Sequence, residues 1–178
     1  MSACTRNAPI ALSIPSSPDL SGAQSFLRTQ DAYLQQVDGA LNRMSALAAE
    51  ARDAAKTDDE RAALQEEFAT LSGYITDIAD KDFNRVRLFS GTLLIVANVG
   101  NDSTCKIPGL SLTLEPYIRA TSACIATPAN AAEALQAVKT AIAQLETDCA
   151  SITTSEKQLQ RVNDQFAVRD ENRIAAMN

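Results

Sequence analysis

Carboxylates are the most abundant reactive groups in this sequence, and several stand in adjacent pairs: Asp58-Asp59, Glu66-Glu67 and Asp170-Glu171. Two carboxyl groups do acid–base work when they face each other across a cleft about 5–9 Å wide, as in glycoside hydrolysis. Neighbours along a helix point in different directions and cannot do this. Helix capping and solvated helix faces are the simpler use. His is absent, which removes the commonest general base and the commonest transition-metal ligand. Ser90-Gly91 is not a nucleophile elbow, because no GxSxG surrounds it and no His activates Ser90. Gly91, Gly100 and Gly109 do not fall into a phosphate-binding spacing. Asn98–Asp102 lacks the spaced acidic ligands of a calcium loop and reads as a turn. Cys4, Cys105, Cys124 and Cys149 contain no CxxC and match no zinc pattern. Cys105 and Cys124 bracket a compact middle segment and could pair; two unlinked thiols are the other reading. Cys149 lies on an apolar helix face as a small hydrophobe. The residues therefore assign no catalytic group, no cofactor and no metal, and point away from an enzyme.

The chain has 178 residues, enough for one domain with a real core, and a net charge of −6. An acidic balance opposes a nucleic-acid surface, which needs a dense Lys/Arg face. No run of about twenty apolar residues exists to span a membrane. The opening residues lack the pattern of a removable secretory signal, so export would use a route that reads none.

Helices must position whatever this chain presents. Residues 1–22, with Pro9, Pro15 and Pro18, read as an irregular Pro/Ser-rich leader. From Phe26 through Gln30, Tyr33, Val37, Leu41, Met44, Leu47 and Ala51 the apolar stripe has helical steps, and this first helix should reach about Lys56. Thr57 and Glu60 form a capping-box pattern that opens a second helix ending near Asp80. The short link makes these two helices antiparallel neighbours. Residues 83–97 suggest a hairpin around Ser90-Gly91, with LLIVA at 93–97 as a strand-sized run. Residues 110–114 alternate as a half-buried strand would, and Pro108, Pro116 and Pro128 confine regular structure between them. Thr127 and Pro128 then cap and begin a long helix. Its apolar positions run from Leu135 to Met177 without a Pro or Gly, a rod of roughly 70 Å.

The expected fold is mainly α: an elongated antiparallel helical hairpin packed on one long C-terminal helix, with a small β-hairpin-containing insertion. The domain reading is a leader at 1–22 and a helical core at 23–178, with the β insertion at about 83–125. If both hairpin helices and the long helix share one base, the long helix runs parallel to the first, with its last ~15 residues overhanging. The stripe Leu159, Val162, Phe166, Ile174 and Met177 then needs a cover, either another subunit or the leader residues Ile10, Leu12 and Ile14.

Three strings, in order, resemble bacterial flagellin. AQSFLRTQDAYLQQVDGALNRMSALAAEARDA resembles the segment that opens the flagellin core domain. DERAALQEEFATLSGYITDIADKDFNRVRLFSG resembles the second helix and its exit turn, with Phe83-Asn84 kept, Arg85 where the family has Gly, and Leu88-Phe89-Ser90-Gly91 kept. ANAAEALQAVKTAIAQLETDCASITTSEKQLQRVN resembles the long returning helix. The resemblance implies a core helical domain without the terminal helices on which polymerisation depends in this family, so a fragment and a naturally short relative both fit. It implies a secreted structural subunit of the extracellular flagellar filament, acting in motility through coiled-coil-like lateral packing against other flagellin subunits. The alternative is a flagellin-like module that binds a partner without polymerising, and either way the isolated chain should be monomeric. The resemblance also marks Arg43, Leu47 and Glu67, which match the centre of a surface that a vertebrate Toll-like innate receptor recognises in some flagellins. Leu47 is better explained as a core residue by its place in the apolar stripe, and Arg43 and Glu67 as solvated charges. Leu159, Val162, Phe166 and Ile174 form the expected assembly face.

Overall fold

The structure is a computed structural model and describes residues 12–13, 20–91, 94–96 and 105–176. Helix α1 spans Leu20–Ala51 and α2 spans Asp58–Ala79. The expected capping box is present: the Glu60 amide donates to Thr57 Oγ1 (3.3 Å) and the Thr57 amide to Glu60 Oε2 (2.8 Å). Three acidic residues, Asp58, Asp59 and Glu60, fill the first turn of α2, where they meet the positive end of the helix dipole. Helix α1 stops short of Lys56. The Asp53 carboxylate accepts the Ala55 amide at 2.9 Å, and that local turn competes with another helical turn.

After α2, strands β2 (Asp82–Phe83) and β3 (Val86–Arg87) form a two-stranded antiparallel hairpin. Its two-residue turn has positive φ at Asn84 (51°) and Arg85 (68°), the geometry that favours Asn-Gly. The hairpin thus precedes Ser90-Gly91, where it had been expected. Strand β4 (Leu94–Val96) realises the apolar run at 93–97 and pairs antiparallel with β5 (Cys105–Ile107). Leu12–Ser13 form β1, parallel to β4, so part of the leader belongs to this sheet. Ile10 and Ile14 lie outside the described residues. Residues 110–114 are not a strand: Leu110 and Leu112 are buried from irregular backbone, and Leu114 is the N-cap of a helix α3, Glu115–Thr121. Pro116 does not break that helix because it sits in its first turn, where no N–H is needed.

Helix α4 runs from Pro128 to Ala175, 48 residues. Thr127 caps it as expected, its Oγ1 accepting the Asn130 amide at 3.2 Å. The direction of α4 differs from the common-base expectation. The Ile125 amide donates to Gln65 Oε1 (2.6 Å), near the start of α2, and Tyr117 bonds Asp148. Farther along, Glu156, Lys157 and Gln160 share a surface recess with Gln24 and Arg28 of α1. Helix α4 therefore starts at the α1–α2 link and runs antiparallel to α1. The connection from 91 to 127 is long enough to travel back along the ~33 Å of α2 before α4 begins.

The α1–α4 contact is the most extensive in the molecule. Leu27, Leu34, Leu41 and Ala48 recur every seven residues on α1, beside Ala23, Gln30, Val37, Met44 and Ala51. On α4, Val138, Leu145, Ile152 and Leu159 alternate with Ala134, Ala141, Asp148 and Ser155. A strict seven-residue repeat keeps one stripe facing its partner, as in a coiled coil. Large side chains in one α4 row and small or polar ones in the other let the helices approach closely. Phe68, Ile75 and Ile78 of α2 complete the core with Tyr117 and Ile125.

Candidate assembly interface

Arg43 and Glu67 face each other across α1 and α2. Arg43 Nε lies 2.6 Å from Glu67 Oε1 and Nη2 lies 2.8 Å from Oε2, a bidentate fork. The hydrogen bond from Arg43, reinforced by its charge, holds the Glu67 carboxyl below the usual carboxylate range, and the same contact raises Arg43. Both side chains remain about half exposed. Leu47, the third marked residue, is fully buried in the core. The structure thus places Arg43 and Glu67 together at the surface and puts Leu47 beneath it.

The expected face on α4 divides at Val162. Leu159 is fully buried within the chain, against α1, and Val162 is half-buried. Beyond Val162 every side chain described is exposed, Val168 to 56%. The side chains of Phe166 and Ile174, and Met177 entirely, lie outside the described residues. The turns of α4 after Asn163 outrun α1 by roughly 20 Å.

Three long-range polar contacts fix the connecting segments, and sequence reasoning singled out none of these residues. Tyr117 Oη donates to the buried Asp148 Oδ2 at 2.6 Å, and Gln144 Nε2 donates to Oδ1 at 3.0 Å. Burial, then the Asp148 contact, pushes the Tyr117 hydroxyl far above its ordinary value, so it stays protonated and donating. Gln65 holds the Ile125 amide. Gln30, buried at the core, donates to the Leu88 carbonyl and ties the end of the hairpin segment to α1. A polar residue inside an apolar stripe is the signal that could have found Gln30 and Asp148 from the sequence.

None of these groups builds a reaction centre. Among the described residues no three His, Cys, Asp or Glu side chains converge as metal ligands, and no helix is long and apolar enough to cross a membrane. Cys124 is a free, exposed thiol, and the side chain of Cys105, its possible partner, lies outside those described. Cys149 is free and half-buried, its thiol pushed up by burial and then by Asp31, Asp148 and Asp38. A recess of about 240 Å³ between α3 and α4, lined by Pro116, Arg119, Glu133, Gln136, Ala137 and Thr140, has no convergent polar set.

Comparison with known proteins places this architecture. Residues 17–93 match the family profile described as the bacterial flagellin N-terminal helical region. The crystal structure of Bacillus cereus flagellin superposes with a TM-score of 0.72 at 22% identity, covering 82% of this chain and 86% of that one. The search of curated proteins gave no match.

Proposed function

We infer, from the premise that the chain carries a core helical domain of the flagellin family, that it is a structural subunit of a bacterial flagellar filament and acts in motility. One observation carries this reading: the match over residues 17–93 coincides with α1, α2 and the β2–β3 hairpin, and α4 packs along α1, the longest of these elements. The protein is not an enzyme; its work is packing. Its place is the extracellular filament and its partners are other flagellin subunits. Deleting the gene should shorten or remove filaments and reduce swimming, and restoring it should reverse both. Normal filaments and swimming in the deletion strain would reject the reading.

The finer proposals concern which surfaces act. Leu47 supports the α1–α2 surface from below, while Arg43 and Glu67 present a flat charged fork for lateral contact. Val162 and the turns after it, which include Phe166 and Ile174, form the end of α4 that a neighbour covers, with Leu159 anchoring that end to α1. The isolated chain is monomeric at micromolar concentration, a reading supported by the exposed large apolar residues among those described, Tyr74, Leu114, Ile118 and Val168, which are scattered over three helices and a cap. Light scattering showing spontaneous filaments would contradict this. The exposed Arg43–Glu67 pair supports a second reading, in which a released copy binds a vertebrate Toll-like receptor. Reporter cells bearing that receptor should respond to the wild type and less to Arg43→Glu; no response to the wild type rejects it.

A further inference from the structure

The backbone at Arg85 is a clue to an interface. Its φ of 68° lies in the left-handed region, which side chains other than Gly, Asn and Asp rarely occupy. The strain sits at the tip of the β2–β3 turn, where Gly would relieve it. Strained positions are kept where they serve a contact. Arg85 is exposed, and among the described residues it makes no ion pair. Lys81 is exposed at the foot of the hairpin, opposite Leu88, and makes no ion pair among the described residues, while Arg87 is matched by Asp80 at 3.1 Å. Asp82 is the one remaining carboxylate of the hairpin segment. The hairpin therefore carries two cations without an ion pair, Arg85 at its tip and Lys81 at its foot, on an acidic protein.

The solvent face of α2 has the opposite character. Its single cation, Arg61, is buried and bonded to Asp53 O and Asp58. Asp59, Glu66 and Asp77 recur at intervals of seven and eleven residues, which stacks them on one side of the helix. All three are exposed and have no cation partner among the described residues. The exposed residues between them are small, Ala62, Ala63, Thr70 and Gly73, with Tyr74 at the edge of the face bonded to Gln36, and a Cβ at Gly73 would meet nothing within 4 Å. A partner carrying extended cations can approach this stripe closely.

We propose that the hairpin, through Arg85 at its tip and Lys81 at its foot, docks on the acidic α2 stripe of a second copy of this chain. The inference rests on the filament-subunit reading and names one of its contacts. Charge complementarity identifies the partner: the chain presents both halves, on different elements. A contact between two unlike patches, made head-to-tail, leaves one of each free and propagates from copy to copy. Being made of exposed charges, it is weak in isolation and screened by salt.

The test is sedimentation of the full chain at millimolar concentration, in about 10 mM and about 1 M salt, where the Debye length falls from ~30 to ~3 Å. The wild type should associate weakly at low salt and lose that association at high salt. K81E/R85E and E66K/D77K should each reduce it at least several-fold. The chain carrying all four substitutions, with its charges exchanged, should recover it. Arg85→Gly separates contact from folding, because it should raise the melting temperature while weakening association. No salt-dependent association of the wild type, or no recovery in the exchanged variant, overturns the contact. The same variants produced in the flagellated cell keep the two ideas apart. Wild-type chain absent from filaments rejects the subunit reading, whereas all variants entering filaments equally rejects only the contact.

Discussion

The hydroxyl of Thr57 and the carboxylate of Glu60 stop one helix from fraying and keep the α1–α2 link tight. Thr57→Ala should cost about 1 kcal/mol, read by chemical denaturation. The Thr57 amide and then its hydroxyl hold the Glu60 carboxyl below its ordinary range. A carboxyl lowered on folding stabilises at neutral pH, and that contribution fades as pH falls through its folded-state value. The stability gap between wild type and Glu60→Gln should therefore close in strong acid; a gap independent of pH would contradict the reciprocal cap. At Arg85 the sign is reversed, since relieving a left-handed residue is worth ~1 kcal/mol. Arg85→Gly should raise the melting temperature by about 2–4 °C, as calorimetry would show. Leu47→Ala should cost about 2–5 kcal/mol, because the side chain is fully buried. A cost under 1 kcal/mol would mean that Leu47 is not the core residue described here. Residue-scale reading from sequence succeeded for Leu47, Thr57 and Glu60, whose roles follow from local pattern. It could not pair Arg43 with Glu67 from chemistry alone, because that fork needs two helices placed side by side.

Helix extents were legible because the apolar period of α1, α2 and α4 is regular and their ends carry cap or turn chemistry. Helix α3 was not, since in a helix of 7 residues the period hardly repeats and Pro116 looks like a breaker until its first-turn position is known. The direction of α4 was also hidden. A periodic stripe states which face is buried, not which way the helix points, and the connection from 91 to 127 allowed either sense. Two measurements check the observed sense. Tyr117→Phe leaves the buried Asp148 short of one donor and should cost roughly 1–3 kcal/mol. Ending the chain after Asn163 removes no buried side chain among those described, so its melting temperature should barely move. A large drop would show that the turns after Asn163 are packed within the monomer.

As a whole the molecule is a long, acidic rod whose extensive apolar contacts, among the described residues, are those of α4 on α1 and α3 and of α2 on α1. Its polar interior bonds, at Gln30, Gln65 and Asp148, hold the loops and the β segment to the helices and leave the helix faces outward. Outward helix faces of this kind support the proposed side-by-side packing of copies. The most direct test is electron microscopy of filaments sheared from the source cells and labelled with antibody raised against this chain. The account predicts label along the filament and the intact chain in its purified protein. Unlabelled filaments, with the chain confined to the cell interior, would contradict it.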